Sequence, residues 1–131
     1  MVTLDKQKKK ELAAAYTQTF RPMGIYQIRN VKNDKVFVDG SMDLDGARNR
    51  LAFSIQTNIN TITELQQDWK TYGGSCFVFE ELDRIKPSED AVNELSEMKK
   101  YRDDVNALLD LWLDKLQPYG ENGYNKSKRK V

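Results

Sequence analysis

No histidine occurs among the 131 residues, which removes the commonest general base, zinc ligand and partner of a nucleophilic serine or cysteine. Any chemistry here must use tyrosine, arginine, lysine or carboxylates. Cysteine is nearly missing as well. Cys76 has no second thiol to pair with, and the start of the chain joins no basic stretch to an apolar run, so a cytoplasmic setting is expected rather than secretion. No apolar stretch approaches the roughly 20 residues that cross a bilayer, so no membrane partner is expected. Charge of either sign is not in excess, with 21 Lys and Arg against 20 Asp and Glu and a net charge of +1. Overall charge therefore does not announce nucleic-acid binding. Its distribution is uneven, however: "DKQKKKELAAAY" and "NKSKRKV" are basic, whereas the stretch from Glu80 to Asp114 is rich in acids. Basic ends can touch phosphates, although a solvated terminus is the commoner meaning of such a tail.

What is present suits one folded unit. A 15.2 kDa chain with 39% hydrophobic and 31% charged residues can bury one core and not two. Residues 4 to 17, with Leu12, Ala13 and Tyr16, form a first expected helix that Arg21-Pro22 closes. "GIYQIRNV", the turn "KND" and "KVFVDG" read as an antiparallel hairpin. From Asp43 to Thr57, Leu44, Ala47, Leu51 and Ile55 recur at helical spacing despite Gly46. Thr61 or Thr63 is expected to cap a further helix, with Glu64 completing a capping box and Leu65 and Trp69 on one face before "YGG". "SCFVFEELDRI" reads as a third strand. After Lys86-Pro87 a long helix should begin at Ser88 and carry an apolar stripe from Val92 through Leu95, Met98, Tyr101, Val105, Leu108, Leu109 and Trp112 to Leu116. With no repeats and no linker, the expected organisation is a helical lead-in over 1–22, an α+β domain over 23–125 and a basic tail over 126–131.

"GIY" at 24–26, "FVDGS" at 37–41, an arginine-bearing helix, "ELQQDWKTYGGSCFVFEEL" and "LWLDKLQPYGENGYN" follow one another from Met23 to Asn125. In that order they resemble the GIY-YIG nuclease family. The resemblance implies a small three-stranded antiparallel sheet flanked by helices, and DNA cleavage with one divalent metal. It also implies roles, position by position. Tyr26 matches the tyrosine of the first motif, a general base or positioner of the attacking water. Phe37 stands at the second tyrosine and lacks its hydroxyl. Asp39 stands at the glycine of the second motif, with Gly40 beside it. The arginine of the following helix falls on Ala47 when counted from Asp39, or on Arg48 when counted from Gly40. Arg50 matches a second basic position, and Leu51 stands where a histidine is common. The metal-binding glutamate, three residues before the tryptophan of the last helix, is matched by Leu109. Asp110 is its acidic neighbour, about 100° round the helix. Asn125 matches a distal asparagine and is expected to pin the C-terminal turn to the sheet.

Phosphodiester hydrolysis needs an activated water, a metal on the phosphate and a cation near the developing charge. A leucine supplies no oxygen to a metal. The expectation is therefore a GIY-YIG-like domain without nuclease activity that binds nucleic acid, DNA in the first place, through Arg48, Arg50 and Lys35. No metal and no small-molecule cofactor is expected, Mg²⁺ entering only if the site is active. Two alternatives belong to other classes: an active Mg²⁺-dependent endonuclease using Tyr26, Arg48 and either Asp110 or Asp39, and a module that binds protein. Ordinary structural roles compete for the same residues, since Tyr26, Trp69 and Trp112 suit a core and Arg48 and Arg50 suit a solvated face. Asp39, Asp43 and Asp45 superficially follow a calcium loop, but Arg50 takes the place of its closing glutamate.

Overall fold

The computed structural model describes residues 21–87 and 95–126. The helix expected over residues 4 to 17, the start of the last helix at Ser88 with Val92, and most of the basic tail lie outside them. Strands β1 (Met23–Asn30), β2 (Val36–Ser41) and β3 (Phe77–Ile85) form an antiparallel sheet in the order β2-β1-β3, so the "GIY" strand is central. Helices α1 (Leu44–Thr57), α2 (Gln66–Tyr72) and α3 (Leu95–Leu116) flank it. This is the α+β architecture expected from the sequence.

Side chains alternate across a strand, which sorts the core into two clusters. Tyr26, Ile28 and Phe77 lie on one side with Leu44, Ala47 and Leu51 of α1 and with Leu65 and Trp69. Met23, Ile25 and Val38 lie on the other with Tyr101, Val105 and Leu113 of α3. Two glycines allow the close contacts that this sandwich demands. At Gly24, where φ is +156°, a Cβ would fall 2.1 Å from the Asp83 carbonyl oxygen, beside the bulge that shifts the β1–β3 register between Ile25 and Tyr26. At Gly40 it would fall 2.7 Å from Cγ1 of Val105, so α3 packs directly on the end of β2.

Helix α1 starts as its sequence suggests, because Asp43 caps it by accepting the Gly46 N–H at 3.0 Å. The expected capping box before α2 does not form. The Asn60 side chain already accepts the Ile62 N–H at 3.0 Å, Glu64 accepts instead from the Thr63 hydroxyl at 3.1 Å, and a 3₁₀ turn (Thr63–Leu65) leads into α2. Beyond α3 the chain returns to the outer edge of β2. Gly123 bridges Val36 in parallel, Tyr124 N–H donates to the Val36 carbonyl, and the Asn125 side chain both accepts from and donates to the Val38 backbone, each at 2.8 Å. The exposed edge of the hairpin is thereby partnered.

Candidate functional site

The hairpin register sets Tyr26 opposite Asp39, and strand alternation brings Phe37 and Asp39 to the α1 side of the sheet beside Tyr26 and Ile28. From α1, the helical spacing of Ala47, Arg50, Leu51 and Ser54 turns these residues to the same place. The segment from Asn60 to Glu64 closes the rim, leaving a cavity of about 330 Å³. Tyr26 is 6% exposed, and its ring stacks on Phe79 with centroids 4.8 Å apart. The Arg48 guanidinium lies 4.9 Å over that Phe79 ring, at the edge of the site.

The electrostatics centre on the pair Tyr26–Asp39, which stand opposite one another in the hairpin and shift each other's titration. Burial and then the Asp39 charge push the Tyr26 hydroxyl up to about 12, against an opposing pull from Arg50. At neutral pH this phenol is protonated and able to donate a hydrogen bond. Asp39 is itself raised above the ordinary carboxylate value, chiefly by burial. The Gly40 N–H that its Oδ1 accepts at 2.8 Å, the Tyr26 hydroxyl and Arg50 pull it down, and Glu64 adds repulsion.

The structure thus gathers Tyr26, Phe37, Asp39, Arg50 and Leu51 around one cavity and leaves other candidates outside it. The two ways of counting along α1 separate cleanly: Ala47 is buried and faces the cavity, while Arg48 is half exposed and pairs with Asp45 at 3.4 Å. Lys35 lies at the far end of the hairpin, 4.7 Å over the Tyr124 ring, and does not line the cavity. Leu109 is packed in the α3 cluster with Trp112, whose indole N–H donates to Asp83 at 3.0 Å. Asp110 is exposed on the same helix, and neither residue lines the cavity. The three acids of the calcium-like stretch do not converge, since Asp39 faces the cavity, Asp43 caps α1 and Asp45 pairs with Arg48. Sequence reasoning missed Asn60, Glu64 as a wall and Phe79. No motif spacing marks them, because only the return of the 58–64 segment onto α1 and the β1–β3 pairing bring them here.

A divalent ion of the kind the fold family uses would need oxygen donors that converge. The cavity offers two carboxylates, Asp39 and Glu64, and no third, and Arg50 beside Asp39 carries charge of the same sign as any metal. No group of three acidic, histidine or cysteine side chains assembles among the described residues. The donor set therefore does not fit such an ion.

No protein-family model and no curated protein matches the chain. Among solved structures, it is similar to a mutant of the catalytic domain of intron endonuclease I-TevI, at 23% identity and a TM-score of 0.58, over 83% of this chain and 97% of that one. A second structure, of the catalytic domain of homing endonuclease I-TevI, matches at 24% identity and a TM-score of 0.57, over 81% and 99%. The chain therefore shares the fold of these catalytic domains, and its three-stranded antiparallel sheet with flanking helices is the architecture that the GIY-YIG resemblance implies.

Proposed function

We infer that this domain, residues 23–125, binds nucleic acid in the cytoplasm without cutting it. The observation that carries the reading is the composition of the cavity beside Tyr26. An acid, Asp39, occupies its floor, and the last long helix turns Leu109 into an apolar cluster instead of offering a carboxylate. Tyr26 is held protonated and Phe37 has no hydroxyl, so neither of the two residues at the motif's tyrosine positions activates a water. Phosphates are repelled by Asp39 and Glu64 but attracted to the rim, where Arg48 is exposed over Phe79 and Arg50 stands at the cavity wall.

Purified protein incubated with supercoiled plasmid and Mg²⁺ is expected to give no nicking above a vector-only control. Chelator-sensitive strand scission would establish an active endonuclease instead. DNA affinity should fall with salt at a shallow slope of about −2 in log–log form, corresponding to two neutralised phosphates. An absence of DNA binding at low salt would leave the domain as a protein-binding module.

A further inference from the structure

The same cavity carries a more specific statement about its ligand, which rests on the nucleic-acid reading above. Its charged lining is two carboxylates, Asp39 and Glu64, against one guanidinium, Arg50, so its interior disfavours a phosphate. Its remaining walls mix apolar side chains, Ile28, Phe37, Leu51 and Ile62 around the Tyr26 ring, with the polar Ser54, Asn60, Thr61 and Thr63. At about 330 Å³ it falls in the size range of small-molecule sites. A lone guanidinium or ammonium would leave most of that space empty; a flat bicyclic ring would use it.

The hydrogen-bonding inventory of Asp39 narrows the choice. A carboxylate has about four acceptor sites, and Asp39 commits one of them to the Gly40 N–H, with the Tyr26 hydroxyl nearby. At least two acceptor sites remain, beside the donor-only side chain of Arg50. A donor next to a pair of acceptors complements one nucleobase edge above the others: guanine presents a carbonyl acceptor at O6 followed by two coplanar donors, N1–H and the N2 amine. Adenine and cytosine each place an unprotonated ring nitrogen against the carboxylate and leave it unpaired. The geometry points to a guanine-binding pocket, in which an unstacked guanine sets its Watson–Crick edge against Asp39 and Arg50 while phosphates of the same strand stay at the rim near Arg48.

The test uses phosphate-free nucleosides, so that base and backbone terms separate. Isothermal titration of the full chain with guanosine, inosine, adenosine and cytidine is expected to rank guanosine first, by about tenfold over inosine, which lacks only the N2 amine. Asp39→Asn is isosteric and should abolish that preference without lowering the melting temperature. Equal binding of guanosine and inosine, or a preference that survives Asp39→Asn, would overturn the pocket assignment. So would displacement of guanosine by arginine amide at lower concentration, which would mark a seat for a protein arginine. Single-stranded oligonucleotides with and without guanine complete the design. Salt-dependent binding that ignores guanine content removes the pocket and keeps the nucleic-acid reading. Guanosine binding with no oligonucleotide binding keeps the pocket and removes that reading.

Discussion

Asp39 is the residue on which the site turns. A glycine at this point would bring no charge to the cavity, whereas the carboxylate raises the Tyr26 pKa and sets the sign of the local field. Its titration has a consequence for stability. Because folding raises the Asp39 pKa, the folded state favours the protonated acid, and the stability present below the unfolded value of 3.8 is lost as pH rises through the folded pKa. Asp39→Asn keeps an oxygen acceptor for the Gly40 N–H but never ionises. Thermal melts should therefore show the variant more stable than the parent at pH 7, with the gap closing below pH 3.8. A gap that instead widens in acid would mean that Arg50 outweighs burial. Glu80 behaves oppositely. Hydrogen bonds from Arg29 at 3.1 Å and Gln27 at 2.7 Å hold it below its usual range, so its contribution is present above the unfolded value of 4.5 and fades as the pH falls.

At the level of elements, two contacts position the site. Helix α3 approaches β2 so closely that Gly40 has no room for a methyl group against Val105. Gly40→Ala should cost about 1–3 kcal/mol by overpacking, and Val105→Ala in the same chain should recover part of that loss because it removes the opposing methyl. Denaturant melts of the two single variants and the double variant measure the coupling directly; strict additivity would show that the contact is not tight. The second contact is the amide of Asn125, which makes two hydrogen bonds to the Val38 backbone next to Asp39. Asn125→Ala should destabilise by about 1–3 kcal/mol. The same change should speed hydrogen exchange at the Val38 amide.

For the whole molecule, the two apolar clusters divide the labour. The α1 cluster carries the cavity, and the α3 cluster buttresses the sheet from behind. Leu109 belongs to the second cluster, which decides what a restored carboxylate would do there. Leu109→Glu is expected to lower stability by about 1–3 kcal/mol and to confer no Mg²⁺ binding by calorimetry. Mg²⁺ uptake by a folded variant would show that the helix can still present a ligand to the cavity. No helix among the described residues is long and apolar enough to cross a membrane.

The order of elements was legible in the sequence because each rests on local physics: the "GIYQIRNV" and "KVFVDG" strands about a polar turn, Asp43 and the three-four rhythm of α1, the stripe of Tyr101, Val105, Trp112 and Leu116 in α3. That Tyr26 stands opposite Asp39 was not among the expectations and comes from the register of the paired strands. What the sequence left open was the rotation of α1, Ala47 or Arg48, and it offered no sign of Asn60 and Glu64 as cavity walls or of Phe79 as the platform behind Tyr26. Those depend on contacts between residues far apart along the chain, where a turn of about 100° per helical residue or the path of a loop decides which side chain faces inward. Local propensity specifies which elements form; only the packing of both helical layers on the sheet selects the groups that meet.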